Sequence, residues 1–281
     1  MKPYGVWGFV NGSGIGIGMF KGPVVIVTGA SRGVGAATAR WLAKAGAAVT
    51  LVARSEKMLE KVSEDVRRLG GNPLRIRANV ADPVGCRKVV EMTLDKFAKI
   101  DALVNNAGIV QPIATIAQAD PDSWRYNLEV NLLGPFYLIH NAVSELRKQK
   151  GRVVNVSSGA ANLALETVSA YCTAKAALNH FTRVLAEEEP TLTAMTVRPG
   201  VVDTDMQSYI REAGRNVMSD EQIDYYQNLK NSRVLEPPEV PARSIAWLAL
   251  FAPREYSGRF LDYDDPAISR PAGEVFGEGL R

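Results

Sequence analysis

Ser158, Tyr171 and Lys175 are the residues whose types and spacing could do chemistry. Tyr171 and Lys175 stand four apart in an expected helix Ser169–Glu188, so they lie one turn apart on one face and can share a site. A phenol with its ordinary pKa of about 10 is a poor acid–base catalyst, and a neighbouring ammonium is expected to stabilise the phenolate and lower that value. Ser158 comes thirteen residues before Tyr171, just past an expected strand Val153–Val156. Its hydroxyl can hold a carbonyl oxygen and steady a developing alkoxide, to which Tyr171 can deliver a proton. Ser157 competes for the serine role, but the gap to Tyr171 and strand alternation favour Ser158. A lone Y-x-x-x-K is common in helices, and Tyr171 alone would read as a core or interface residue.

A second chemical feature lies at the other end of the chain. The expected strand Val24–Val27 runs into Thr28-Gly29-Ala30-Ser31-Arg32-Gly33-Val34-Gly35 and then an alanine-rich helix. Glycine permits a tight turn and close approach of backbone to a pyrophosphate, and a helix amino terminus offers free N–H groups to an anion. The spacing T-G-x-x-x-G-x-G departs from G-x-G-x-x-G, so its position after a strand and before a helix carries the reading. About 20 residues on, where an acid would meet the ribose 2′-hydroxyl of NAD, the chain has Ala53-Arg54. With Arg32 as a second cation, the site suits a 2′-phosphate, which a guanidinium bonds bidentately, and NADP(H) is the expected cofactor. The plainer alternative makes Arg32 and Arg54 solvated surface charges. Asn79-Val80 stands where a carboxylate would meet the adenine amine, and the asparagine carbonyl can accept that bond.

These features need a scaffold. Short β-branched runs at Val24–Val27, Ala48–Val52, Leu74–Arg77, Ala102–Val104, Val153–Val156, Ala194–Val197 and near Arg259–Leu261 alternate with helical patterns at Gly35–Ala45, Lys57–Leu69, Pro83–Ala98, Trp124–Gln149, Ser169–Glu188 and Ala242–Phe251. That alternation predicts an α/β, single-domain Rossmann fold, a seven-stranded parallel sheet with helices on both faces and ligands beyond the strands' carboxyl ends. Residues 201–239 interrupt it with a long polar stretch, helical over Ser219–Lys230, which reads as a substrate lid. Residues 1–22 carry Gly12, Gly14, Gly16 and Gly18 but no feeding strand, so they read as a flexible leader before a catalytic domain over 23–281. They make a poor second nucleotide loop and a poor secretory signal.

In combination, Thr28–Gly35, Asn105-Asn106-Ala107-Gly108, Asn131, Ser158, Tyr171 with Lys175, and Arg198-Pro199-Gly200 with Thr204 resemble the short-chain dehydrogenase/reductase superfamily in order and spacing over about 240 residues. The resemblance implies a catalytic tetrad of Asn131, Ser158, Tyr171 and Lys175. It also implies Asn106, Ala107 and Gly108 beside the cofactor ribose, and Pro199, Gly200, Val202 and Thr204 at the nicotinamide end. The segments Ala174–Phe181, Pro199–Gln207 and Leu261–Ala267 are similar to a fungal branch, the benzil reductase and sepiapterin-reductase-like group. That branch implies reduction of one carbonyl of an aromatic α-diketone by NADPH.

The chain's 281 residues carry 33 Lys+Arg against 30 Asp+Glu, a net +3 with no basic run, which argues against nucleic acid. The longest apolar stretches, such as Ile245 to Ala252, are too short to cross a bilayer. Two cysteines and two histidines, Cys86, Cys172, His140 and His180, stand apart, which argues against a disulfide framework or a metal site and fits a reducing cytoplasm. Chain order points Val110, Leu163, Met206 and Tyr209 at a mainly apolar substrate pocket. The apolar girth of Ser169–Glu188 suggests a subunit interface, simple burial being the alternative, and the resemblance implies a homodimer or homotetramer. The expected activity is NADPH-dependent reduction of a hydrophobic small-molecule carbonyl, with a secondary alcohol dehydrogenase of a secondary-metabolite pathway as the alternative and a non-catalytic NADP(H) sensor as a third.

Overall fold

The β-branched runs form one parallel sheet in the computed structural model, which describes residues 20–277 and 279. Its strands are β1 (Val24–Thr28), β2 (Ala48–Ala53), β3 (Asn72–Arg77), β4 (Ala102–Asn105), β5 (Arg152–Val156), β6 (Thr193–Arg198) and β7 (Phe260–Asp262), in the order β3-β2-β1-β4-β5-β6-β7. The order reverses between β1 and β4, so the loops after these two strands part and leave a crevice at their carboxyl ends. β1 and β2 are buried along their whole length, as two-sided cover by helices requires.

The helices are α1 (Gly33–Lys44), α2 (Glu56–Arg68), α3 (Pro83–Phe97), α4 (Pro121–Leu128), α5 (Gly134–Gln149), α6 (Ser169–Glu188), α7 (Asp205–Ala213), α8 (Asp220–Asn231), α9 (Glu239–Phe251) and α10 (Pro266–Phe276). Trp41 and Leu42 of α1 share a core with Ile245 and Leu248 of α9 on one side of the sheet. On the other, Val89 of α3, Leu138 and Leu146 of α5 and Leu185 of α6 pack together.

The seven expected strands and the parallel Rossmann architecture are present. β3 begins at Asn72 rather than Leu74 and takes in Pro73, which an edge strand tolerates because its outer N–H side is free. The single helix expected over Trp124–Gln149 is two helices, α4 and α5, joined by a π-helical turn at Glu129–Leu133. Such turns insert one residue into the ladder and re-aim the side chains beside them. Two helices went unforeseen: α7, hidden in the polar lid, and α10, where the side chain of Asp265 accepts from the N–H of Ala267. α8 matches the expected Ser219–Lys230 segment because Ser219 and Gln222 form a reciprocal capping box. The lid is pinched at its base, where Val202 pairs with Glu236 and the Asp203 N–H donates to the Glu236 carbonyl at 2.8 Å. Of the expected leader, residues 1–19 lie outside the described residues, and Phe20 packs on Phe97 with ring centres 6.1 Å apart.

Candidate active site

β5 delivers the serines. Ser157 continues the strand's pairing, its N–H donating to Val197 at 2.8 Å, and its buried Oγ has no partner among the described residues. Ser158 follows in extended backbone and opens a short turn, where its Oγ accepts from the Ala160 N–H at 3.2 Å and its hydroxyl is hydrogen-bonded to the Tyr171 phenol. Ser158 is therefore the serine that meets Tyr171. From α6, Lys175 brings its Nζ to 5.6 Å from the Tyr171 ring centre and donates to the Val156 carbonyl at 2.8 Å. Lys175 is only 4% exposed.

The electrostatics of this pair differ from the expectation. Burial pushes the Tyr171 phenol up to about 12, offset in part by the Ser158 hydrogen bond. Burial also pushes the Lys175 ammonium down to about 8. Desolvation of both charged forms outweighs the attraction expected between them, so at neutral pH Tyr171 is a phenol with a proton to give.

Asn131 sits in the π-helical turn, fully buried, with both ends of its amide engaged. Its Nδ2 donates to the Ile109 carbonyl at 2.8 Å and to Asn127 Oδ1 at 2.9 Å, and its Oδ1 accepts from the Ile109 N–H at 3.3 Å. It backs the loop after β4 rather than lining the cleft. A Cβ on Gly108 of that loop would meet Asn131 Oδ1 at 2.8 Å and Lys175 Nζ at 3.7 Å, so only glycine lets the three groups converge. Asn127, which also ties down Ile109 and Gln111, went unforeseen because a polar residue inside a helix gives no local signal.

The site opens into a cleft of about 1240 Å³ along the carboxyl ends of the strands. Gly29, Ser31, Arg32, Gly33 and Val34 form one wall, and Arg54, Asn79 and Val80 extend it past β2. Asn106, Ala107 and Gly108 come from the loop after β4, while Pro199, Gly200, Val202 and Thr204 follow β6. The cradle fits a pyrophosphate. Gly29 has φ +64°, and a Cβ there would lie 2.7 Å from Asn106 Nδ2; Arg32, at the N-cap of α1, makes no side-chain cap, leaving first-turn N–H groups for a ligand. Thr28 Oγ1 stitches the two loops by accepting from the Asn106 and Ala107 N–H groups, both at 3.0 Å. Gly35 does not line the cleft: its added Cβ would strike the Gly29 carbonyl at 2.4 Å, so it is a packing glycine.

The two arginines are in different situations. Arg54 is exposed beyond β2 and makes no ion pair among the described residues. Arg32 pairs instead with Asp205 of α7 at 2.7 Å, both ends exposed. Asn79 Oδ1, the expected adenine acceptor, takes the Ala81 N–H at 3.2 Å while its Nδ2 donates to the Tyr126 hydroxyl at 3.2 Å. One lone pair on that oxygen stays open.

Val110, Met206 and Tyr209 line the cleft as expected. Leu163 does not. It is 58% exposed, and Leu165 and Val168 take the place assigned to it, because pairing of Val168 with Ala114 swings the end of this loop inward. Ile210 of α7 and Tyr226 of α8 complete the apolar wall, joined to the expected residues only by the folding of the lid.

A doubly wound parallel sheet with a glycine-cradled crevice and a serine–tyrosine–lysine site defines an oxidoreductase acting on CH–OH and C=O groups with a nicotinamide dinucleotide. The chain belongs to the short-chain dehydrogenase family, whose sequence model matches residues 23–215. It is 37% identical over 252 residues to the uncharacterized oxidoreductase YIR035C of Saccharomyces cerevisiae, covering 88% of this chain and 98% of that one. The crystal structure of that yeast protein superposes with a TM-score of 0.84 over 89% of this chain and 99% of its own. The chain is also 32% identical over 265 residues to benzil reductase ((S)-benzoin forming) IRC24 of the same yeast, covering 90% and 100%. L-sorbose reductase from Gluconobacter frateurii, complexed with NADPH and L-sorbose, is 26% identical with a TM-score of 0.76, over 87% and 95%. Structures similar to this chain hold NAD+ as well as NADPH. Among the described residues no helix is long and apolar enough to cross a membrane.

Proposed function

We propose that the protein is an NADPH-dependent carbonyl reductase for hydrophobic ketones, including aromatic α-diketones such as benzil. The observation that carries this is the convergence of Ser158, Tyr171 and Lys175 at the edge of a pocket walled by Val110, Leu165, Val168, Met206 and Ile210. The bound dinucleotide supplies hydride. Ser158 holds the substrate oxygen, and Tyr171 donates its proton as the oxygen becomes an alkoxide. Lys175, anchored on the Val156 carbonyl, keeps a positive charge beside the phenolate that results. Asn131 acts as a positioning residue that fixes the loop of Gly108 and Ile109.

Arg54 supports NADP(H) as the cofactor, with Arg32 as a second phosphate ligand once it leaves Asp205. The benzil reductase relative supports the aromatic diketone. The catalytic unit is a single domain over 23–281 with its lid at 201–239, working in the cytoplasm on a small-molecule carbonyl. On the α5 and α6 surface Phe136 and Val184 are each 41% exposed, and Phe136 stacks edge-on to Phe181 at 6.1 Å. This apolar face supports assembly as a homodimer or homotetramer. The deciding measurement is the initial rate of NADPH and NADH consumption with benzil, an aliphatic ketone and a steroid ketone. Fast NADPH-only loss with benzil is expected; equal rates with NADH refute the cofactor assignment, and turnover of the other ketones without benzil refutes the substrate.

A further inference from the structure

We propose that Tyr226 selects vicinal dicarbonyl substrates, its hydroxyl donating to the oxygen of the carbonyl that is not reduced. This rests on the carbonyl-reductase reading and names the group that would recognise the second oxygen. Tyr226 belongs to α8 of the lid, 55 residues after Tyr171 in the chain. Folding nevertheless places its ring with Tyr171 and Cys172 in one apolar cluster, where Ile223, one turn earlier, anchors the helix. The two phenols lie within electrostatic reach, since Tyr226 is among the groups that disfavour the Tyr171 anion.

The hydroxyl of Tyr226 is uncommitted. Among the described residues it has no hydrogen-bond partner, and it is not a sealed, unsatisfied atom of the core. The other phenols of the cleft differ in one respect or another. Tyr171 is bonded to Ser158, Tyr126 accepts from Asn79, and Tyr209 is 37% exposed, where water competes for its hydroxyl. Tyr225, the neighbour of Tyr226, is 56% exposed and packs edge-on to it, 5.3 Å between ring centres. The side chains clustered with it, Val110, Leu165, Val168, Met206 and Ile210, carry no hydrogen-bond donor for a second carbonyl. A polar oxygen pushed against such a wall loses its water without compensation, so one donor there decides whether a dicarbonyl is accepted.

The chemistry balances without further reagents beyond water. Hydride from the dinucleotide forms one C–H bond at the carbonyl carbon whose oxygen Ser158 holds, the C=O π pair moves onto that oxygen and takes the Tyr171 proton, and Tyr171 regains a proton from water. The neighbouring C=O is unchanged, so the product is an α-hydroxy ketone and the oxidised dinucleotide. Tyr226 only holds the spectator oxygen.

Benzil and deoxybenzoin, in which one carbonyl of the same skeleton is a methylene, separate this role from packing. With Tyr226→Phe, which keeps the ring, kcat/KM for benzil is expected to fall about tenfold, mainly through KM, as loss of one desolvated hydrogen bond implies. For deoxybenzoin it should stay within about twofold, and NADPH affinity should not move. Tyr225→Phe, at the 56% exposed neighbour that does not line the cleft, serves as the control and should leave both substrates unaffected. Equal losses on both substrates, or no loss on benzil, overturn the proposal while the reductase reading stands. Failure of the unmutated protein to reduce either ketone overturns that reading and the proposal with it.

Discussion

The dinucleotide half of the cleft and its lid are held by different kinds of force. Around the glycine loop, Thr28 bonds two backbone N–H groups of the β4 loop, Asn106 donates back to the Thr28 carbonyl at 2.9 Å, and glycines sit where any Cβ would strike backbone. That half is over-determined. The lid is held by the Val202–Glu236 bridge at its base, by the small apolar cluster of Ile210, Met218 and Ile223 against Val110 and Val168, and by an exposed Arg32–Asp205 ion pair, and α8 has no fully buried residue. Exposed pairs contribute little, about 0–1 kcal/mol. On the proposed function, cofactor binding and proton delivery are built into the frame, whereas substrate choice rests on a segment with fewer buried contacts.

The sharpest test of the rigid half is Tyr171→Phe. It should lower kcat by about 10²–10⁴-fold, the range for losing a general acid, with NADPH affinity by fluorescence titration unchanged. Unaltered turnover would break the assignment.

Lys175→Met tests the cost of that frame. The folded ammonium lies below its ordinary value, at about 8, so the folded state is penalised wherever Lys175 is protonated. That penalty is present below about 8 and is relieved as pH rises from about 8 toward about 10.5, where the unfolded lysine also loses its proton. The methionine variant should be inactive yet more stable to urea at pH 7, by about 1–3 kcal/mol after the lost hydrogen bond is counted. The gap should narrow in alkaline buffer, and a variant less stable at pH 7 would contradict it.

Arg54→Asp addresses selectivity at the edge of the same half. Its kcat/KM with NADPH should drop roughly 10–100-fold while that with NADH rises, because a charged hydrogen bond to a 2′-phosphate contributes about 1.5–3 kcal/mol. Matched changes with both cofactors would show that Arg54 is an ordinary surface charge.

The smallest effect belongs to the lid. Asp205→Ala should shift the unfolding midpoint scarcely at all, with stability changed by less than about 1 kcal/mol. Freed from its partner, Arg32 should lower KM for NADPH a few-fold without altering that for NADH. A large loss of stability would mean that the lid is held more firmly than its contacts suggest.

What could be read from the sequence follows the same division. The glycine loop after β1, the Tyr171–Lys175 turn and the Ser158 position depend on spacings within one strand–loop–helix unit, so residue type and periodicity suffice to place them. Even the choice between Ser157 and Ser158 follows from strand alternation. Packing between distant segments decided the rest. Leu165 replaces Leu163 because a loop pairs with Ala114, some fifty residues earlier. Asp205 claims Arg32, and Tyr226 reaches Tyr171, only because the lid folds back over the cleft. The Tyr171 and Lys175 proton affinities moved in the directions set by burial, a property of the whole core that no four-residue spacing contains. Local geometry is written in neighbouring residues, whereas desolvation and long-range contact exist only once the chain has closed around them.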